Sequence, residues 1–357
     1  YMNIQHIKTK LKLFIKIFVI SPKNWNTPRN TDVIIYDLVG SEFLMPYLEK
    51  YSVSTMAVRG ESINAFCLLS AMLKLSFWKN PLLAYTNAYI KAVLPRLIIT
   101  FNDNDTKFYS ISQKFPQCKT ILIQNGSRDN WLDIFDKKNK FHVDYMIVHG
   151  VNVGNYYGSS ISGEVLAVGS LKNNLIPILN ETTDDGILFI SQWHAPPPDK
   201  QPVDEDYDFN PVSWDEFFRA EIIVIKFLDK WCFENNKKLK VCGREKDALG
   251  LEKSFYKNHL CLCDWLYVPK KDNYNSYKLV DNSELVVHID STLGYESIAR
   301  GKKTATFSCR GSTLLRDSDV VSWPFGWTGD LPNNGPFWTN DQDIEEFQRV
   351  MDCISTM

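Results

Sequence analysis

Short aliphatic and β-branched runs that stop abruptly in polar or glycine residues punctuate this chain and constrain its fold most. Asp32–Tyr36 leads into Gly40-Ser41-Glu42, and Ser52–Val58 into Gly60-Glu61-Ser62. Arg96–Thr100 ends in Asn102-Asp103-Asn104-Asp105, Lys119–Ile123 in Gln124-Asn125-Gly126, Tyr145–Val148 in His149-Gly150, and Val165–Val168 in Gly169-Ser170. After a polar stretch over 171–186 the pattern restarts. Ile187–Ile190 ends in Ser191-Gln192-Trp193-His194, Leu239–Cys242 in Gly243-Arg244, Glu284–Ile289 in Asp290-Ser291-Thr292, and Thr304–Phe307 in Ser308. Runs that are apolar throughout belong to strands covered on both faces, as in parallel sheets flanked by helices. The expected fold class is α/β, with two consecutive Rossmann-like domains facing a cleft: 1–172, 186–340, and a closing helix over 341–357. Ligands of such sheets bind at the carboxyl ends of the strands, so the polar terminators are the candidate site residues. The Pro- and Asp-rich loop 195–213 is long for a compact domain and is expected to be functional.

Charge narrows the partners. A net charge of −2 gives no global attraction to nucleic acid, but the distribution is uneven. Lys8, Lys10, Lys12, Lys16, Lys23 and Arg29 precede the first acid, and a stretch over 199–221 is acidic, ending in Asp215, Glu216 and Glu221. Ile7, Leu11, Phe14, Ile15 and Phe18 recur at helical spacing beside the lysines, a pattern suited to a basic amphipathic helix over residues 6–20 lying on an anionic membrane or packing on its own domain. No apolar run is long enough for a spanning helix. The eight cysteines are scattered without metal-ligand spacing and read as buried reduced thiols of a cytoplasmic protein, with a peripheral position on the inner membrane face as the further expectation.

The stretch Leu285–Glu296 concentrates the chemistry. A strand feeds directly into a helix, and Ser291 or Thr292 can cap it. Its free N–H groups and dipole favour an anion, which makes a phosphate site. Gln192, Arg244, His288, Gly294 and Glu296 belong with Ser291 and Thr292 as nucleotide or donor contacts. Arg244 could supply a cationic contact or pair with Asp247, and Glu296 could reach a ribose or stay an exposed carboxylate. Asp290 could be catalytic or hold the turn. Asp290, His194 and Asp264 are the unranked candidates for acid, base or nucleophile; Gln124 is a further catalytic candidate, although it cannot transfer a proton as a carboxylate would. Asn125, Arg128 and His149 are the polar residues after strands of the first domain, although Asn125-Gly126 also suits a simple turn. The Asn102–Asp105 stretch reads as a solvated loop. GxGxxG, GxxxxGK[ST] and GxSxG are absent, which argues against a dinucleotide fold, a P-loop and a hydrolase elbow.

Several segments carry a resemblance. Ile123–Arg128, Ile190–Trp193, Cys242–Arg244, Asp290–Lys303 and the stretch from Phe325 to Thr339 resemble bacterial surface-carbohydrate biosynthesis proteins, a group similar to retaining GT-B glycosyltransferases that use CMP-activated ulosonic sugars such as Kdo. The resemblance covers roughly residues 30–340. It implies a nucleotide-sugar donor in the second domain and a glycan or lipid-linked glycan acceptor in the first, with Asn125, Arg128 and His149 as acceptor or sugar contacts. A CMP-sugar has one phosphate and its own carboxylate, so neutral and cationic contacts suffice; no cofactor and no metal are expected. A transferase or epimerase using a nucleotide-diphosphate sugar, with Arg310 for the second phosphate, and a non-catalytic two-domain ligand clamp are the alternatives.

Overall fold

Val33–Tyr36 (β1) is buried at every residue because it lies inside a sheet with helices on both sides. The computed structural model describes residues 15–59, 61–126, 141–179, 184–197, 201–205, 211–272, 274–309 and 332–356. The chain divides into two units, Tyr1–Asn125 with Trp131–Lys172, and Gly126–Asn130 with Asn173–Met357.

In the first unit, β1 is followed by α1 (Ser41–Leu48), β2 (Val53–Met56), α2 (Ala65–Met72), α3 (Leu75–Lys79), α4 (Pro81–Val93) and β3 (Leu97–Thr100). Then come α5 (Tyr109–Lys114), β4 (Lys119–Ile123), β5 (Phe141–Val148), α6 (Val151–Gly158) and β6 (Ile161–Ala167). The six strands run parallel in the order β2-β1-β3-β4-β5-β6. Asn64 caps α2 by accepting the Cys67 N–H at 3.0 Å, and the chain bends at Leu73–Lys74 before α3.

A short helix α7 (Leu171–Leu175) leads into the second unit, which holds β7 (Asp184–Ile190), α8 (Trp214–Glu234), β8 (Leu239–Cys242), α9 (Leu251–Lys257), β9 (Trp265–Val268), α10 (Asn275–Asp281) and β10 (Ser283–His288). It continues with α11 (Thr292–Ala299), β11 (Lys303–Phe307), β12 (Asn334–Gly335), β13 (Trp338–Thr339) and α12 (Ile344–Thr356). The sheet order is β9-β8-β7-β10-β11-β13-β12, parallel except for the β12–β13 hairpin. A capping box starts α8, with the Ser213 hydroxyl and the Glu216 carboxylate exchanging bonds. Phe218, Val224, Leu228 and Trp231 of α8 then pack on Phe189, Val241 and Val287 of the sheet. Sequence pattern missed β9 because it is a sheet edge: Leu266 faces outward while Tyr267 is buried, so no continuous apolar run marks it.

One buried ion pair organises the start of this unit. Arg300 grips Asp281 through Nε at 2.7 Å and Nη2 at 2.6 Å, with both side chains 1% exposed. It also donates to the Asn173 side chain and to the carbonyls of Ile176 and Pro177, while Asp281 accepts the Leu179 N–H. Arg300 therefore fastens residues 173–179 onto α10 and α11.

Of the N-terminal segment, the described part is a helical turn over Ile15–Ile20. Phe18 is buried against Phe77 and Tyr85 at ring distances of 5.6 and 6.5 Å, so it packs on its own domain rather than facing a membrane. Residues 1–14 lie outside the described set. Cys67, Cys118, Cys232, Cys242 and Cys309 are buried thiols as expected, but Cys261 is exposed and Cys263 and Cys353 are half-buried; burial pushes Cys67 and Cys242 up to about 11. Among the described residues no helix is long and apolar enough to cross a membrane.

Candidate nucleotide-sugar site

Chain order creates a switch point in each sheet. From β7 the chain runs to β8 and β9 on one side, then returns to β10 on the other, so β7 and β10 leave the sheet in opposite senses. Open α/β sheets bind ligands at such points. In the second unit the residues there are Gln192 after β7 and Asp290, Ser291 and Thr292 after β10, with Arg244 after the next strand, β8. Adjacent strands lie about 5 Å apart, so these expected residues share one sheet edge.

Ser291 occupies the N-cap position of α11 in extended backbone (φ −75°, ψ 132°), yet its hydroxyl makes no capping bond. The expected cap is therefore not made by Ser291, whose hydroxyl lies at the half-buried start of the helix. Thr292 is the first helical residue, and Asp290 is buried at the bend, 8% exposed. Arg244 donates from Nη1 to the Gln192 carbonyl at 2.8 Å, which joins the ends of β7 and β8. Asp247, its alternative partner, instead accepts the N–H groups of Glu252 and Lys253 at the start of α9.

Two glutamates that sequence reasoning did not single out as site residues lie beneath this edge. Glu221 of α8 and Glu252 of α9 are fully buried. Glu252 accepts from the Ser191 hydroxyl (2.6 Å), the Tyr267 hydroxyl (2.8 Å) and the backbone N–H groups of Arg244 (3.0 Å) and Glu245 (3.2 Å). Glu221 accepts from the Tyr256 hydroxyl and the Gln192 N–H. Buried carboxylates persist only when so supplied with donors. Burial, reinforced by the neighbouring carboxylates, raises Tyr256 and Tyr267 well above the usual phenol range, so both keep their protons and go on donating. The network fixes the backbone that presents Gln192 and Arg244. Glu221 is accordingly no part of an acidic surface. Its sequence signal was slight: one acid among Ala220, Ile222 and Ile223 on an amphipathic helix.

The structure corrects four assignments in this unit. His288 ends β10 fully buried, with Nε2 2.9 Å from the Thr306 hydroxyl and its ring edge-on to Tyr295, so it presents nothing to a ligand. Burial drives its pKa from 6.5 to about 3. Gly294 is spacing rather than contact: a Cβ there would lie 2.1 Å from the His288 ring. Glu296 is buried and accepts the Tyr277 hydroxyl at 2.6 Å, so it points into the unit instead of toward a ribose. Asp264 precedes β9 instead of ending a strand; it lies at the opposite edge of the sheet and pairs with Lys238 at 3.1 Å, 75% exposed. His194 follows β7 and is half-buried against Phe218 (5.0 Å, edge-on), with its carbonyl holding the Trp214 indole N–H.

The first unit has its own switch point, between β1 and β3. Asp37 follows β1 at φ 74°, fully buried, and accepts from Arg59 Nε and Asn102 Nδ2, both at 2.7 Å. Asn102 and Asp103 are buried, Asp103 accepting the Tyr157 hydroxyl at 2.8 Å, so this stretch is no solvated loop. Sequence reasoning did not single out Asp37 or Arg59; the available signal was an acid directly after the first strand. Gln124 and His149 come together differently from expectation, because the Gln124 side chain accepts the His149 N–H at 2.8 Å and ties β4 to β5. That amide braces the sheet, which leaves Gln124 a structural residue. Asn125 accepts from Lys172. Arg128 lies outside the described residues.

Comparisons with known proteins agree with this architecture. No curated protein matches the sequence. The structure is similar to one described as a "putative UDP-N-acetylglucosamine 2-epimerase" of Listeria monocytogenes, with 8% identity, 92% of this chain and 88% of that chain covered, and a TM-score of 0.52. It is also similar to a glycosyltransferase of Rickettsia africae (12% identity, 93% and 89% covered, TM-score 0.48) and to a sucrose-phosphate synthase of Thermosynechococcus elongatus (11%, 93% and 90%, TM-score 0.46). At such identities the likeness concerns the fold, and it is the expected α/β class with two Rossmann-like units. The model of one family, described as "putative O-antigen biosynthesis protein", matches residues 121–357, and the chain belongs to that family.

Proposed function

We propose that the protein is a glycosyltransferase of surface-polysaccharide biosynthesis that binds a nucleotide-sugar donor in its second unit. The observation that carries this reading is the uncapped Ser291 hydroxyl at the start of α11, at a topological switch point, with the Arg244 guanidinium held on the neighbouring strand ends. Helix N–H groups and hydroxyls suit phosphate oxygens, and a guanidinium suits a carboxylate or a second phosphate face. Membership of an O-antigen family supports a glycan acceptor.

The donor in this reading is a CMP-linked ulosonic acid such as Kdo. Its single phosphate would lie on Ser291, Thr292 and the α11 backbone, and its carboxylate on Arg244. That distribution gives a metal no necessary role. The acceptor would be lipid-linked, so the reaction would lie at the inner face of a membrane. Asp290 and His194 remain the candidates at this edge for proton transfer or nucleophilic attack.

A thermal-shift series with CMP, UDP and GDP tests the donor, because a ligand of the native state raises the midpoint. CMP is expected to stabilise, and EDTA to leave both that shift and turnover unchanged. Stabilisation by UDP or GDP alone would replace the CMP-sugar with a nucleotide-diphosphate sugar; no response to any nucleotide would remove the transferase reading. Ser291→Ala and Arg244→Ala should each weaken nucleotide or donor binding about tenfold or more, the effect of losing one charge-assisted hydrogen bond.

A further inference from the structure

Helix α2 is apolar on both faces. Ala65, Cys67, Leu68 and Ala71 face inward onto α4, while Phe66, Leu69 and Met72 face solvent. A soluble surface helix normally turns a polar face outward. The apolar surface continues past the helix end, with Leu73 at 89% exposure, Leu75 at 87% and Trp78 at 69%. Trp25, 66% exposed, joins it, its ring 6.5 Å from Phe66, and the strand pairing of Lys23–Asn24 with Ile63–Asn64 holds the two segments side by side. Val19 and Ile20 are exposed just before that pairing. Contiguous apolar surface of this kind marks an interaction site.

The charge around it identifies the partner. From Ser62 to Asn102 the sequence holds Lys74, Lys79, Lys91 and Arg96 and no acid, and before Asp32 it holds only basic residues among its charges. Both chain segments that build the surface are thus acid-free, although acids slightly outnumber bases in the whole chain, 42 to 40. Exposed leucines, two tryptophans and flanking lysines match the headgroup region of an anionic bilayer. Indole rings settle there and lysines meet lipid phosphates. A second copy of this chain would bring the same positive charge against itself.

We propose that the first unit docks on an anionic lipid bilayer by inserting Trp25, Phe66, Leu69, Leu73, Leu75 and Trp78 at the α2–α3 bend. This surface adjoins Val19 and Ile20, but its inserting side chains lie outside residues 6–20, and it stands whichever nucleotide the second unit binds. The bend is what makes it possible: Leu73 and Leu75 are almost fully exposed where the two helices meet, so their side chains can enter a bilayer without moving the core.

The test is flotation of the full chain with vesicles of phosphatidylglycerol and phosphatidylethanolamine, and with phosphatidylcholine alone. The full chain should float with the anionic vesicles, more weakly at high salt, and little with phosphatidylcholine. Leu73→Glu/Leu75→Glu, at positions that contribute nothing to the core, should keep the thermal midpoint and lose at least tenfold in vesicle partitioning, with CMP binding unchanged. Trp78→Ala should lose severalfold. Equal flotation of the Leu73→Glu/Leu75→Glu variant and the parent would overturn the proposal, as would no flotation of the parent. Self-association abolished by the same substitutions, without vesicle binding, would assign the surface to a second copy instead.

Discussion

At the scale of single residues, the stretch that first suggests a phosphate site divides into two roles. Ser291 and Thr292 stay at the strand end, whereas His288, Gly294 and Glu296 turn inward. His288 and Gly294 are one packing unit, since the imidazole fills the volume a side chain at 294 would need. Gly294→Ala should cost about 1–3 kcal/mol by overpacking, read as a lower urea midpoint. His288 also carries a pH dependence. Its folded pKa lies near 3 against an ordinary 6.5, so the unfolded chain binds the proton more readily. Stability is then complete above about pH 6.5 and falls as pH drops toward 3, with a slope approaching about 1.4 kcal/mol per pH unit. His288→Phe should flatten the part of that slope between pH 6.5 and 5, above the range where carboxylates titrate; denaturation curves at three pH values would show it. An unchanged slope would mean the imidazole is not held neutral.

At the scale of elements, the second unit's strand ends are supported from below by helices α8 and α9. Glu252 receives four donors from three different segments, so its charge organises the loops that carry Ser191, Arg244 and Glu245. Glu252→Gln would turn an acceptor into an amide that points N–H at N–H. A loss of about 1–3 kcal/mol in stability is expected, together with weaker nucleotide binding, while Ser291→Ala should weaken binding and leave stability unaltered. Calorimetry on both variants separates support from contact. The Arg300–Asp281 pair works on a different joint, holding 173–179 to α10 and α11. Arg300→Ala should cost about 3–5 kcal/mol, because it strands a buried carboxylate; an Asp281→Ala/Arg300→Ala double variant should lose less than the sum of the singles. Arg300 belongs to one of the segments that resemble surface-carbohydrate proteins, so part of that resemblance records folding rather than chemistry.

At the scale of the whole molecule, the fold was largely legible from the sequence because its physics is local. A strand buried on both faces must be apolar along its length, and Val33–Tyr36, Leu97–Thr100 and Lys119–Ile123 announce themselves in that way. Position along the chain also gave the polar ends of strands, and with them Gln192, Arg244 and Ser291. Trp265–Val268 escaped notice since an edge strand buries one side only, and Asp264 was misplaced as a consequence. Strand order, by contrast, is a property of no single segment. Only the tertiary structure decided that β7 and β10 meet at a switch point, that Asp37 joins Arg59 and Asn102, and that Glu221 and Glu252 converge beneath Ser191. The sequence by itself determined which residues could be buried, through hydrophobicity and period. Which polar groups are buried together, and which are left for a ligand, was decided by long-range packing, because a hydrogen bond between residues 61 positions apart has no local signature.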